Sequence, residues 1–125
     1  MSGERRMWGV RGATTATANT SDAILEATRE MLQLLLEENA LSSAEIVSAL
    51  FTVSPELHAD FPARAARALG WTEVPLLCAT EIPVPGALPF CVRVLLHVEP
   101  RAPRSGMRHM YLRGARALRP DLGYD

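Results

Sequence analysis

Pro89-Phe90-Cys91-Val92-Arg93-Val94-Leu95-Leu96-His97-Val98 is rich in β-branched and apolar residues. Pro85-Gly86 punctuates it upstream and Pro100 downstream, so it reads as a strand. Alternate side chains of a strand face opposite ways. Phe90, Val92, Val94, Leu96 and Val98 make one wholly apolar face; Cys91, Arg93, Leu95 and His97 make the other. An arginine does not readily shed its proton, and burying its charge unpaired is expensive. Arg93 must therefore face either water or an anion.

Outward from this strand, the chain alternates strands and helices. Met7 to Thr15 reads as a first strand, with Arg11 between two glycines that suggest close backbone approach or a bulge. Thr20 or Ser21 caps a long helix, Asp22 suits its first turn and Asn39 ends it. Its apolar face is Ile24, Leu25, Thr28, Met31, Leu32, Leu35 and Leu36. Ser42 to Glu45 has capping-box spacing and leads into Ile46 to Ser54, a buried strand whose first half could equally be helix. Phe61 to Gly70 is a short helix on which Arg64 and Arg67 are neighbours. Val74 to Thr80 is a further strand ending at Glu81. Residues 101–106 read as loop. Residues 107–125 read as a tail that adds little to the core.

The order β, long α, β, short α, β, β, tail predicts one α+β domain over residues 1–125, with a mixed sheet and helices on one face. A sheet with a single large helix leaves a face under-covered, which predicts oligomerisation.

Composition narrows the chemistry. The chain has 125 residues, 48% of them hydrophobic, and a formal net charge of -1, which allows a real core and argues against a nucleic-acid partner. Its apolar segments are too short or interrupted to span a membrane, and no signal-peptide core precedes the first strand, so a cytoplasmic location is expected. All 13 basic residues are arginine, which excludes Schiff-base chemistry and a lysine-dependent phosphate loop. Cys78 and Cys91 are far apart, and neither they nor His58, His97 and His109 show metal-ligand spacing. No metal site is expected.

Arg11 and Arg93 lie in strand interiors, and Glu81 is the acid at a strand end. If both arginines enter one pocket, positive charge is in excess there and a carboxylate is the natural ligand. Alternatively they face solvent, or pair with Glu81 and Asp60. Cys78 is either a nucleophile or a small buried thiol, and Tyr111 either a site residue or a packing aromatic.

Six segments resemble, in order, the monofunctional chorismate mutases of the AroH class. They are Gly9 to Thr15, Phe61 to Arg67, Val74 to Glu81, Cys91 to Val94, Arg108 to Leu112 and Leu118 to Leu122. The resemblance implies a homotrimer of pseudo-α/β-barrel type with active sites between subunits. It implies conversion of chorismate to prephenate without cofactor or metal, in aromatic amino-acid biosynthesis. By similarity Arg93 donates to the breaking ether oxygen, with Glu81 and Arg11 completing the catalytic set. Arg11 and Tyr111 would bind the side-chain carboxylate. Glu81 and Cys78 would hold the ring hydroxyl, and Phe61 and Leu118 would form walls. Arg67 would lie near the ring carboxylate and Arg64 at the mouth. A trimeric small-acid-binding or imine-deaminase (RidA-like) protein and a non-catalytic interaction module are the alternatives.

Overall fold

The computed structural model describes residues 6–119, and the strand around Arg93 lies at the centre of its sheet. The strands are β1 Trp8–Thr15, β2 Ile46–Val53, β3 Leu76–Thr80, β4 Cys91–Val98 and β5 Met110–Tyr111, ordered β3-β2-β4-β1-β5 across the sheet. β4 runs antiparallel to β1 and β2, whereas the β2–β3 and β1–β5 pairs are parallel. With α1 Ser21–Glu38 and α2 Ala63–Ala68 this is the expected α+β fold with a mixed sheet.

Local signals place the long helix. Thr20 adopts an extended backbone and its Oγ1 accepts from the Ala23 N–H at 3.1 Å, so it is the N-cap. Asn39 stops α1: its Nδ2 donates to the Leu35 carbonyl at 2.9 Å and to the Arg108 carbonyl at 3.0 Å. The buried face comprises Ile24, Ala27, Thr28, Met31, Leu32 and Leu35; Leu25 and Leu36 are only half-buried. Gly12 explains why β1 needs a glycine. A Cβ there would lie 2.7 Å from Leu35 Cδ1 and 3.1 Å from Met31 Cγ, so α1 rests directly on the backbone. The β1–β4 register runs unbroken from Trp8↔Val98 to Thr15↔Cys91, so the bulge is not here. It lies in β2, where Ile46 pairs with Val98 but Ser48 with His97, leaving Val47 extra. The Ser42–Glu45 capping box forms as expected, and Ile46 onward is strand throughout, not helix.

Val10, Val92, Val94, Leu96, Val98 and Phe51 face the helices and are buried with Met31, Leu32 and Leu35. Phe90 sits just outside β4 with φ 55°, its N–H donating to Glu56 Oε2 at 2.5 Å. The other sheet face carries Arg11 and Ala13 of β1, Leu50 and Thr52 of β2, Leu77 of β3, and Arg93, Leu95 and His97 of β4. In register, Ala13 and Thr52 flank Arg93, while Arg11 and Leu50 flank Leu95. Both α-helices pack on the opposite face, and Leu77 is 66% exposed.

The C-terminal segment corrects the sequence reading. β5 extends the sheet beside β1, and Met110, Tyr111, Leu112 and Ala115 are all at most 8% exposed. Met110 and Leu112 join the main core, while Tyr111 and Ala115 form a second cluster with Ala13 and Cys91. A two-residue strand has too little period to be visible in sequence. Among the described residues no helix is long and apolar enough to cross a membrane.

Candidate active site

Arg11, Thr52, Glu81, Arg93 and Tyr111 line one cavity of about 210 Å³ on the open sheet face. β4 places Arg93 there by alternation. Glu81 arrives from the end of β3, where its N–H donates to the Val53 carbonyl at 2.8 Å and prolongs the ladder. Arg93 Nε lies 3.6 Å from Glu81 Oε2, close enough for an ion pair but too far for a hydrogen bond. Arg93 Nε is itself buried with no hydrogen-bond partner. The Thr52 hydroxyl donates to the same Glu81 Oε2. Burial pushes the Cys91 thiol above its ordinary pKa, and the adjacent Arg93 only partly opposes that. Cys91 therefore stays protonated. Leu118 packs against the small second cluster, to which Tyr111 belongs.

Arg11 is tied to the tail. Its backbone N–H donates to His109 Nδ1 at 3.0 Å, which requires that nitrogen to be unprotonated. Burial, then the charges of Arg11 and Arg119, hold His109 below its ordinary value. As pH falls below 6.5, the unfolded chain takes up this proton before the folded one. Stability is therefore expected to decline from that pH down to the lowered value and then to level off. In urea titrations across this range, His109→Asn, whose Oδ1 can accept the same bond, should lose this part of the slope. An unchanged slope in the variant would show that His109 is not its source.

The remaining candidates lie elsewhere. Phe61 and Cys78, with His58, Pro62 and Thr80, line a second cavity of about 340 Å³. Cys78 pairs with Phe51 in the β2–β3 register and so faces the helix side, away from Arg93; it is a half-buried free thiol. Phe61 is 65% exposed at the approach to α2. Asp60 Oδ1 accepts from the Phe61 N–H at 2.7 Å, and its Oδ2 meets Ser21 Oγ at 2.5 Å and Arg64 Nη1 at 2.6 Å. Those hydrogen bonds, Ser21's foremost, hold Asp60 below the usual carboxylate range. Asp60 is thus the partner of Arg64, not of Arg11 or Arg93. Arg67 is exposed on the same helix.

One chain therefore carries two groups. Arg11, Glu81, Arg93 and Tyr111 form the first, with Leu118 against the cluster that holds Tyr111; Phe61 and Cys78 form the second, and the neighbouring α2 carries Arg64 and Arg67. The first has two guanidinium groups and one carboxylate, a balance suited to an anion. Sequence reasoning missed Thr52. Its signal was its parity with Arg93, which the bulge at Val47 obscures.

Comparison with known proteins agrees with this chemistry. The family profile described as chorismate mutase type I matches residues 7–122. The chain is 49% identical over 115 residues to chorismate mutase AroH of Thermus thermophilus, spanning 91% of this chain and 94% of that protein. It is 43% identical over 115 residues to chorismate mutase AroH of Bacillus subtilis, spanning 91% of each. A solved chorismate mutase from Clostridium thermocellum superposes with a TM-score of 0.85 at 44% identity, covering 88% of this chain and 98% of that one. Pro120, Asp121 and Leu122, the last residues of the sequence resemblance, lie outside the described residues. A profile spanning nearly the whole chain, relatives of matching length and an open-face cationic cavity lead to one conclusion: the chain belongs to the chorismate mutase type I family.

Proposed function

We propose that this chorismate mutase rearranges chorismate to prephenate at a site shared by two copies of the chain in a cytoplasmic homotrimer, without metal or cofactor. The separation of the two residue groups onto different faces carries the reading. Within one chain they line separate cavities, and a head-to-tail contact would set the Arg93 face of one copy against the Phe61 edge of the next. A rotation that closes such a contact gives a ring. Half-buried Leu50 and Leu95 and exposed Leu77 and Phe61 supply the apolar surface for it. Family membership sets aside the imine-deaminase and interaction-module alternatives.

The reaction is an intramolecular pericyclic shift: one C–O bond of the ether breaks as one C–C bond forms, and no proton or electron leaves the molecule. It needs no nucleophile, and the protonated Cys91 is in keeping with that. The site has two tasks. Arg11 and Tyr111 hold the side-chain carboxylate, and Glu81 holds the ring hydroxyl together with Cys78 of the neighbouring copy. These contacts fold the enolpyruvyl chain over the ring. Arg93 then donates to the ether oxygen as negative charge accumulates there. Arg67 from the second group meets the ring carboxylate, Phe61 and Leu118 exclude water, and Arg64 guides the dianion in.

Subunit mixing tests the shared site. Arg93→Ala and Arg67→Ala chains should each be poorly active alone. Unfolded and refolded together, about one interface in four should receive both intact halves and regain native turnover. Absence of any regain in mixed assemblies of confirmed stoichiometry would place both groups' functions within one chain and defeat the reading.

A further inference from the structure

We infer that Thr52 is a positioning residue whose hydroxyl holds the Glu81 carboxylate off Arg93, keeping the guanidinium available to the substrate; this rests on the roles given above to Arg93 and Glu81. Thr52 lies directly opposite Arg93 in the β2–β4 register, and both line the cavity with Glu81. A carboxylate and a guanidinium this close would ordinarily close into a short, charge-assisted pair, more so once a partner subunit excludes water. They have not closed. Glu81 Oε2 stands 3.6 Å from Arg93 Nε and accepts instead from Thr52 Oγ1. Arg93 Nε is consequently left buried without a hydrogen-bond partner. An unsatisfied buried donor is costly, and one that lines a cavity, as this one does, is placed to be satisfied by a ligand.

The geometry suits the task. Thr52 sits in an interior strand, and its β-branched side chain has few rotamers, so its hydroxyl is a fixed donor. It gives Glu81 a neutral partner that does not compete for the substrate's negative charge. Without it, the strongest donor left to Glu81 is Arg93; the ether oxygen would have to displace a carboxylate already in place, and the ring hydroxyl would lose part of its hold on Glu81.

The test uses the full chain, following loss of chorismate absorbance. Thr52→Val keeps the shape and removes the hydroxyl; its kcat should fall about ten- to a hundredfold, the scale of one hydrogen bond to a charged group, and KM should rise by less than kcat falls. Thr52→Ser restores the donor and should recover most of that loss. A crystal structure of Thr52→Val should show Glu81 within hydrogen-bond distance of Arg93. If Thr52→Val does not assemble, Thr52→Ala removes the same donor and carries the same expectation. Native turnover in Thr52→Val, with Arg93→Ala inactive, would overturn the inference alone. So would a Thr52→Ser variant as impaired as Thr52→Val, which would mean that the site needs the methyl and not the hydroxyl. Native turnover in Arg93→Ala would instead overturn the assignment of the site itself.

Discussion

Replacing Arg93 by alanine is expected to lower kcat by on the order of a thousandfold while the protein remains folded. Removing one preorganised donor to a developing oxyanion costs about a hundred- to a thousandfold in rate. Arg93 lies at the upper end because its group is charged and its Nε is already out of water before any partner arrives. Folding should survive, since Arg93 projects from the open face and takes no part in the apolar cluster beneath. Arg93→Lys separates charge from shape. It keeps the positive charge, but a flexible ammonium replaces a planar fork aimed by the sheet, so it too should lose much of kcat. Both effects should fall on kcat more than on KM, because the interaction strengthens as the ether oxygen gains charge. If both variants raised KM and left kcat intact, Arg93 would be a ground-state anchor for a carboxylate.

Ending the chain after Gly106 is expected to abolish folding, not merely binding. The cut removes β5 and with it Met110, Tyr111 and Leu112, all nearly fully buried. Truncating buried side chains of this size costs about 2–5 kcal/mol each, so the three together reach on the order of 10 kcal/mol. That matches the whole stability of a typical domain, about 5–15 kcal/mol. The cut also takes away the Arg108 backbone groups that Asn39 clamps at the end of α1. Circular dichroism and urea titration of the shortened chain should show no cooperative transition. A cooperative transition, with only substrate affinity lost, would restore the view of this segment as a lid over the site.

The sequence was most legible where its signals are local. The caps at Thr20 and Asn39, the Ser42–Glu45 box and the alternation through Val98 each announce themselves within a few residues, and all formed. β2 was ambiguous because Val47 is inserted out of phase, so Ile46 and Phe51 are both buried although five residues apart. β5 was invisible because its stability comes from Gly12 and Ala13, far away in the chain. The site followed the same division. Periodicity put Arg11 and Arg93 in strands but could not bring them together; family resemblance suggested that, and the shared cavity supports it. Cys78 and Glu81 are close in sequence, yet Cys78 turns toward the helices while Glu81 reaches Arg93 from beyond the strand end. Nothing in one chain's sequence states where a second copy sits.

The placement of the two residue groups on different faces has a thermodynamic consequence. Under the proposed arrangement, chorismate binds only where two subunits meet, so it favours association by mass action as any ligand selective for one state does. Linkage makes the effect mutual: whatever loosens the ring weakens substrate affinity, and substrate tightens the ring by the same factor. At low protein concentration, activity per chain would rise with enzyme concentration, and saturating substrate would flatten that rise. The substrate is then, in effect, a transient part of the quaternary structure.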